Sequence, residues 1–215
     1  MLYQAILFDF DGTIADTSPG IYESIRYAMR RMERDPLLPD EMRQFIGPPL
    51  LYSFETVAGF SQRDAERAVE LYREYYEAGQ QYNLIIYPGM PRLLHDLLQR
   101  GYRVGLASAK PDLFIQQILV RYQMQSLFDF AEGVSLEESY ADKSELIRHV
   151  LRRLDVTKSD EALMIGDRKY DIDGAHKAEV HAAGVLYGFG SETELRAAGA
   201  ECIFPTVEDI RSYLL

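Results

Sequence analysis

The apolar run Ala5-Ile6-Leu7-Phe8 ends abruptly on two aspartates, Asp9 and Asp11, with Gly12 and Thr13 directly after them. The run predicts a short buried strand. Side chains alternate along an extended segment, so Asp9 and Asp11 share one side and Phe10 faces the other. Carboxylates are rarely buried unless they are paired or bind a metal. Two of them this close repel unless a cation lies between them. Gly12 lets the backbone turn sharply or come close to a ligand. Any fold open to this chain must therefore bring positive charge to the end of its first strand. The stretch is suited to hold a divalent metal beside a reacting group.

Two patterns follow that strand. From about 16 to 83 the signal is helical, with no strand in it. Ser18 and Pro19 suit the N-cap and first turn of a helix carrying Ile21, Ile25, Ala28 and Met29. A short helix over about 40–45 leads to Gly47-Pro48-Pro49, which reads either as a plain turn or as a loop that contacts substrate. A longer helix over about 61–82 carries Tyr72, Tyr75 and Tyr76 at core spacing. After Tyr87-Pro88-Gly89 the pattern changes to alternating strands and helices. Strands are expected over 102–107, 127–131, 162–165, 180–186 and 201–204, and Ser191-Glu192-Thr193-Glu194 reads as a capping box. Alternation of this kind implies a parallel sheet with helices on both faces. Ligands in such sheets bind at the carboxyl ends of the strands, near a topological switch point. Asp9, Ser108 and Asp167 each stand at such an end, so the pattern alone draws three polar groups together.

Composition narrows the function classes. The 215 residues suffice for one core domain and a smaller insert. A net charge of −11 argues against nucleic acid and anionic membranes as partners. It does not argue against a small phosphorylated metabolite, which needs only local positive charge. No run approaches the ~20 apolar residues of a membrane span. The first strand follows directly on the N-terminus, and a single cysteine, Cys202, fits a reducing cytoplasm and reads as a small core residue.

The loop Asp9-Phe10-Asp11-Gly12-Thr13 resembles the signature of the haloacid dehalogenase superfamily of phosphatases. In that family the first aspartate is the nucleophile and the second the general acid/base. The family's second motif, a Ser or Thr after a strand, matches Ser108. Its lysine is better matched by Lys143, at a helix start, than by Lys110, because the family places it after the second motif and before the acidic one. Gly166-Asp167-Arg168-Lys169-Tyr170-Asp171 matches the acidic motif. Ala109 is a departure, since relatives often carry Asn or Ser there.

The resemblance implies an α/β fold: a Rossmann-like parallel core from 1–15 and 84–215, with an all-helical cap at 16–83. It further implies Mg²⁺ held by Asp9, Asp167 and the main-chain carbonyl of Asp11, with Asp171 holding metal-bound waters. Substrate contacts fall to Gly12, Thr13, Ser108 and Lys143. Arg43 and Gly47 are the cap's candidates for selecting substrate, Arg43 because a guanidinium suits a second anionic group; a solvated Arg43 on a short helix is the plainer reading. The insert resembles that of phosphoglycolate phosphatases and 5′-nucleotidases, and also of β-phosphoglucomutases, so hydrolysis through an aspartyl-phosphate has a phosphomutase as its rival. A non-catalytic phosphate-binding regulator would lack Asp9, Asp11, Lys143 or Asp167, and all four are present.

Overall fold

The computed structural model describes residues 3–135 and 142–215. Ala141, where a helix is expected to open, lies outside the described residues. The chain divides into two compact units, one of Met1–Ala15 and Ile86–Leu215, the other of Asp16–Ile85.

The first unit begins with β1 (Ala5–Phe8). After the second unit it continues through α5 (Met90–Gln99), β4 (Arg103–Pro111), α6 (Asp112–Arg121) and β5 (Phe130–Val134). Then come α7 (Lys143–Arg153), β6 (Ala162–Gly166), α8 (Lys169–Lys177) and β7 (His181–Val185). The chain ends with α9 (Glu192–Ala197), β8 (Cys202–Phe204) and α10 (Val207–Leu214). Among the described residues six of these strands form one parallel sheet, ordered β5-β4-β1-β6-β7-β8. β1 is central, and all four of its residues are fully buried. Removing Ile6, Leu7 and Phe8 from water stabilises the unit by about 1.5–3 kcal/mol for each side chain.

The register explains the convergence that the sequence implies. Phe8 pairs with Leu106 of β4 on one side and with Ile165 of β6 on the other. Asp9 lies one residue beyond Phe8, and Ser108 and Asp167 lie two beyond Leu106 and Ile165, so the three stand at neighbouring levels near the carboxyl end of the sheet. Ser108 is still inside β4, which runs to Pro111 rather than stopping at 107. The chain runs outward from β1 to β5 and then returns to β6, so this end is also the switch point. One sheet face buries Ala5, Leu7 and Met164 against Leu146, Ile147, Val150 and Leu151 of α7. Gly105 makes that approach possible, since a Cβ there would lie 2.8–2.9 Å from Leu7, Val150 and Leu154. The packing fixes α7, and with it Lys143 at its first turn. On β4, Ser108 and Lys110 are buried while Ala109 between them is exposed.

In the second unit α1 (Ser18–Arg31) and α3 (Leu50–Thr56) pack on α4 (Gln62–Glu77), and α2 (Pro39–Arg43) is short. Tyr72 and Tyr76 are buried, and Tyr75 stacks on Tyr27 with ring centroids 4.5 Å apart.

Several local expectations need correction. The stretch 16–83 is not free of strand: Asp16 closes β2 (Ala15–Asp16), which pairs with β3 (Ile85–Ile86) in a two-stranded ribbon. The long helix stops at Glu77 rather than 82, because Gly79 takes a φ of +133° and a single 3₁₀ turn follows. Helix α3 was hidden in sequence by the prolines before it. The strand expected at 127–131 lies at Phe130–Val134, since 125–127 form a 3₁₀ turn. Ser18 does not cap α1: it is the first helical residue, Thr17 stands at the N-cap with no side-chain cap bond, and Asp16 Oδ1 accepts from the Ser18 amide at 2.9 Å and hydroxyl at 2.6 Å. Only half of the expected box at Ser191 forms. Ser191 Oγ accepts from the Glu194 amide, but the Glu194 carboxylate turns to Arg168 Nε and the Lys169 amide, both at 2.9 Å. Cys202 is half-buried in β8 rather than enclosed.

Candidate active site

Three carboxylates meet at the switch point. Oxygens of Asp9, Asp167 and Asp171 all lie within 4.8 Å of one another, and all three residues are buried. Asp9 follows β1, with its amide donating to Ile165 at 3.0 Å. Asp167 follows β6. Asp171 stands in the first turn of α8, where its Oδ2 accepts from the Arg168 amide at 3.0 Å.

Lys143 answers this charge. Its Nζ donates to Asp9 Oδ1 at 2.7 Å and also to Asp171 Oδ1, and its side chain is 9 % exposed. Gly174 of α8 allows the approach, since a Cβ there would lie 2.9 Å from the Lys143 Cβ. Lys110 takes a different partner. Its Nζ lies 3.0 Å from Asp11 Oδ1 and 3.4 Å from Oδ2. The two lysines that compete in sequence for one role thus both reach the site, each on its own aspartate. Ser108 is buried beside them and its Oγ accepts from the Lys110 amide at 3.3 Å.

Ionisation follows from this burial. Desolvation pushes Asp9 up to about 6, against the pull of Lys143 and with the push of Asp171 and Asp11. Desolvation, with the charges of Asp171 and Asp9 behind it, raises Asp167 well above the carboxylate range. Burial alone would lower Lys143, but Asp171 and Asp9 outweigh it and raise its pKa. One lysine does not balance three carboxylates.

Asp167 Oδ2 accepts from the Phe189 amide at 2.6 Å, while Oδ1 is buried with no hydrogen-bond partner among the described residues. An unpaired buried carboxylate oxygen is costly. Three oxygen donors around such an atom fit a hard divalent cation, so the residues present suit the metal that the sequence implies. The loop holding Asp167 packs without room for side chains. A Cβ on Gly12, Gly188 or Gly190 would overlap Asp167 itself, and Gly12 has a φ of +82°. Sequence reasoning missed this cradle, although three glycines at loop positions flanking a buried carboxylate were its visible signal.

The remaining expected residues fall as follows. The Asp11 carboxylate faces Lys110 and is not one of the three clustered. Thr13 is fully buried; its carbonyl accepts from Tyr187 Oη at 3.2 Å, and its hydroxyl has no partner among the described residues. Arg43 and Gly47 are exposed residues of the second unit, where the charge of Arg43 acts on Tyr22.

Comparison with known proteins agrees with this geometry. A family profile described as haloacid dehalogenase-like hydrolase matches residues 6–185. A 5′-nucleotidase of Pseudomonas aeruginosa is 39 % identical over 195 residues, covering 91 % of this chain and 88 % of that one. A phosphoglycolate phosphatase of Colwellia psychrerythraea is 23 % identical over 218 residues, covering 96 % and 95 %. The solved structure of a predicted phosphatase from Clostridium acetobutylicum superposes with a TM-score of 0.91 at 36 % identity, covering 100 % of this chain and 99 % of that one. The chain therefore belongs to the haloacid dehalogenase-like hydrolases, among that family's phosphatases.

Proposed function

We propose that the chain is a Mg²⁺-dependent phosphomonoesterase that works through an aspartyl-phosphate on Asp9. The observation that carries this reading is the buried cluster of Asp9, Asp167 and Asp171, with Asp167 Oδ1 unpartnered among the described residues and Lys143 on Asp9.

Asp9 is the nucleophile. Lys143 fixes its Oδ1, which leaves the other oxygen to attack phosphorus in line with the leaving group. Ser108 donates from its hydroxyl to a phosphoryl oxygen, and Lys143 adds fixed positive charge beside it. Asp11 protonates the departing alcohol and then takes a proton from the water that cleaves the aspartyl-phosphate. Asp9, Asp167 and the main-chain carbonyl of Asp11 would hold Mg²⁺, with Asp171 reaching it through water. Bound there, the ion supplies the charge that lets two anions approach and polarises the phosphoryl oxygen. Gly12 brings the loop backbone close to the phosphoryl group, with Thr13 behind it.

The substrate is a small phosphorylated metabolite. The 39 % identity to a 5′-nucleotidase favours a nucleoside monophosphate over phosphoglycolate. The inserted unit at 16–85 serves as the cap and selects substrate, with Arg43 and Gly47 its candidates. The single cysteine supports a reducing cytoplasm as its compartment.

The test is phosphate release from nucleoside monophosphates, phosphoglycolate, sugar phosphates and pyrophosphate, each with Mg²⁺, with EDTA and with the Asp9→Asn variant. Release that needs Mg²⁺ and vanishes in the variant is expected. No release from any of them would overturn the reading and favour a mutase.

Metal should also show in stability. Asp9, raised to about 6, and Asp167, raised well above the carboxylate range by its burial, both have folded pKa values above their unfolded ones, so the metal-free fold loses stability as pH rises, for Asp9 through about 6. Mg²⁺ competes with those protons. Its stabilisation is therefore expected to grow with pH, reaching about 2.7 kcal/mol where free metal is about 100-fold above its dissociation constant. Thermal midpoints with Mg²⁺ and with EDTA, at about pH 5 and about pH 8, check this. A shift that is equal at both would contradict the assignment of these carboxylates as ligands.

A further inference from the structure

Lys110 has no part in the mechanism above, yet it is buried in the same site. We propose that it is a positioning residue for the acid/base step: it holds the Asp11 carboxylate where a proton can pass to the leaving alcohol. The inference rests on the phosphomonoesterase reading and adds to it the residue that aims its acid.

Burying an ammonium group is costly unless a partner offsets the loss of water. The Lys110 side chain is only 5 % exposed, and Nζ reaches both oxygens of Asp11, at 3.0 and 3.4 Å. A contact to both oxygens fixes the plane of a carboxylate as well as its rotamer. Asp11 needs such help. It lies beyond the end of β1, in the turn at Gly12, and its side chain is 20 % exposed against 10 % for Asp9. Among the described residues, Lys110 is the side chain that bonds the Asp11 carboxylate. Lys143 is committed to Asp9 and Asp171.

The strand delivers Lys110 for this purpose. Ser108 and Lys110 are two residues apart on β4 and both face inward, with Ala109 exposed between them. One strand end thus carries a donor for the phosphoryl group and a clamp for the acid. The exposed position of Ala109 also explains how an alanine is tolerated there.

The experiment compares Lys110→Met and Lys110→Arg with the parent enzyme on two substrates, p-nitrophenyl phosphate and an alkyl phosphate. The readout is kcat/KM, which reports the chemistry up to release of the alcohol. A nitrophenolate leaves without a proton, whereas an alkoxide does not. Lys110→Met should lose about 100-fold with the alkyl phosphate and less than about 3-fold with the nitrophenyl ester, because general acid catalysis contributes roughly 10²–10⁴-fold. Lys110→Arg should recover part of the loss. Equal losses on both substrates would overturn the proposal, since a structural role or a contact to phosphate would slow both alike. A crystal structure of Lys110→Met gives a reading that does not depend on turnover. There the Asp11 carboxylate should leave its present orientation, and an unmoved Asp11 would also overturn the proposal. If the parent hydrolyses neither substrate, the phosphomonoesterase reading falls and takes this inference with it. A working parent with no selective loss removes this inference alone.

Discussion

Lys143→Met should leave a protein that recovers much of its stability, but little of its turnover, when Mg²⁺ is added. Lys143 Nζ is the cation on both Asp9 and Asp171, and its side chain is 9 % exposed. Removing one partner from a buried ionic group typically costs about 3–5 kcal/mol, because the remaining charges stay buried and unpaired. Methionine keeps the length and apolar bulk of the stem, so the loss comes from charge rather than from a cavity. A divalent ion among the same carboxylates replaces part of that charge. It cannot replace the ammonium beside the phosphoryl group, and loss of one fixed donor there costs about 10²–10³ in kcat. Urea unfolding in EDTA and in Mg²⁺, with kcat measured on the same preparation, separates the two effects. A variant as stable as its parent in EDTA, or within a few-fold of it in kcat, would show that Lys143 is not the counter-charge of this site.

Gly190→Ala should lower metal affinity without replacing any metal ligand. A Cβ at this position would overlap the carbonyl oxygen of Asp167, which is backbone and cannot swing aside. The loop has to move, and the Phe189 amide moves with it, so Asp167 Oδ2 loses the hydrogen bond now made at 2.6 Å. Overpacking of this kind costs about 1–3 kcal/mol. Disturbing the group that orients a metal ligand typically costs about 10–100-fold in affinity. Gly101→Ala is the matched control. Its φ of +89° makes alanine strained by about 1–2 kcal/mol, yet a Cβ there meets nothing within 4 Å. Titration calorimetry with Mg²⁺ should therefore report weaker binding for Gly190→Ala and parent-like binding for Gly101→Ala. Equal affinity in both variants would mean that the glycine loop does not orient Asp167.

The parts of this protein that were legible in its sequence are those written in local pattern. The buried run before Asp9, the alternation after Gly89 and the inward spacing of Leu146, Ile147, Val150 and Leu151 each carry their own period. Together they give a parallel sheet with polar residues at its strand ends. What could not be read depends on register or on competition for one partner. That Lys110 meets Asp11 follows from the alignment of β4 beside β1, which no window of sequence contains. Ser18 is a good capping residue, but the helix starts on Ser18 itself, and its amide goes to Asp16. Glu194 suits its capping box, yet Arg168, far off in sequence, offers a charged donor and wins. The second unit was the least legible. Its short elements α2 and α3 are separated by prolines, and its ribbon strands are two residues long, too short to show any period.

The position of β1 in the sheet also bears on how the chain is made. This strand leaves the ribosome before its two neighbours, which begin at Arg103 and Ala162. At synthesis rates of about 5–20 residues per second, β1 waits about 5–20 s for β4 and about 8–30 s for β6. Throughout that interval a fully apolar segment has both edges open to any other strand. The segment that anchors the finished sheet is thus the nascent chain's most exposed liability, and shielding by a chaperone matters most before the second half of the protein has been translated.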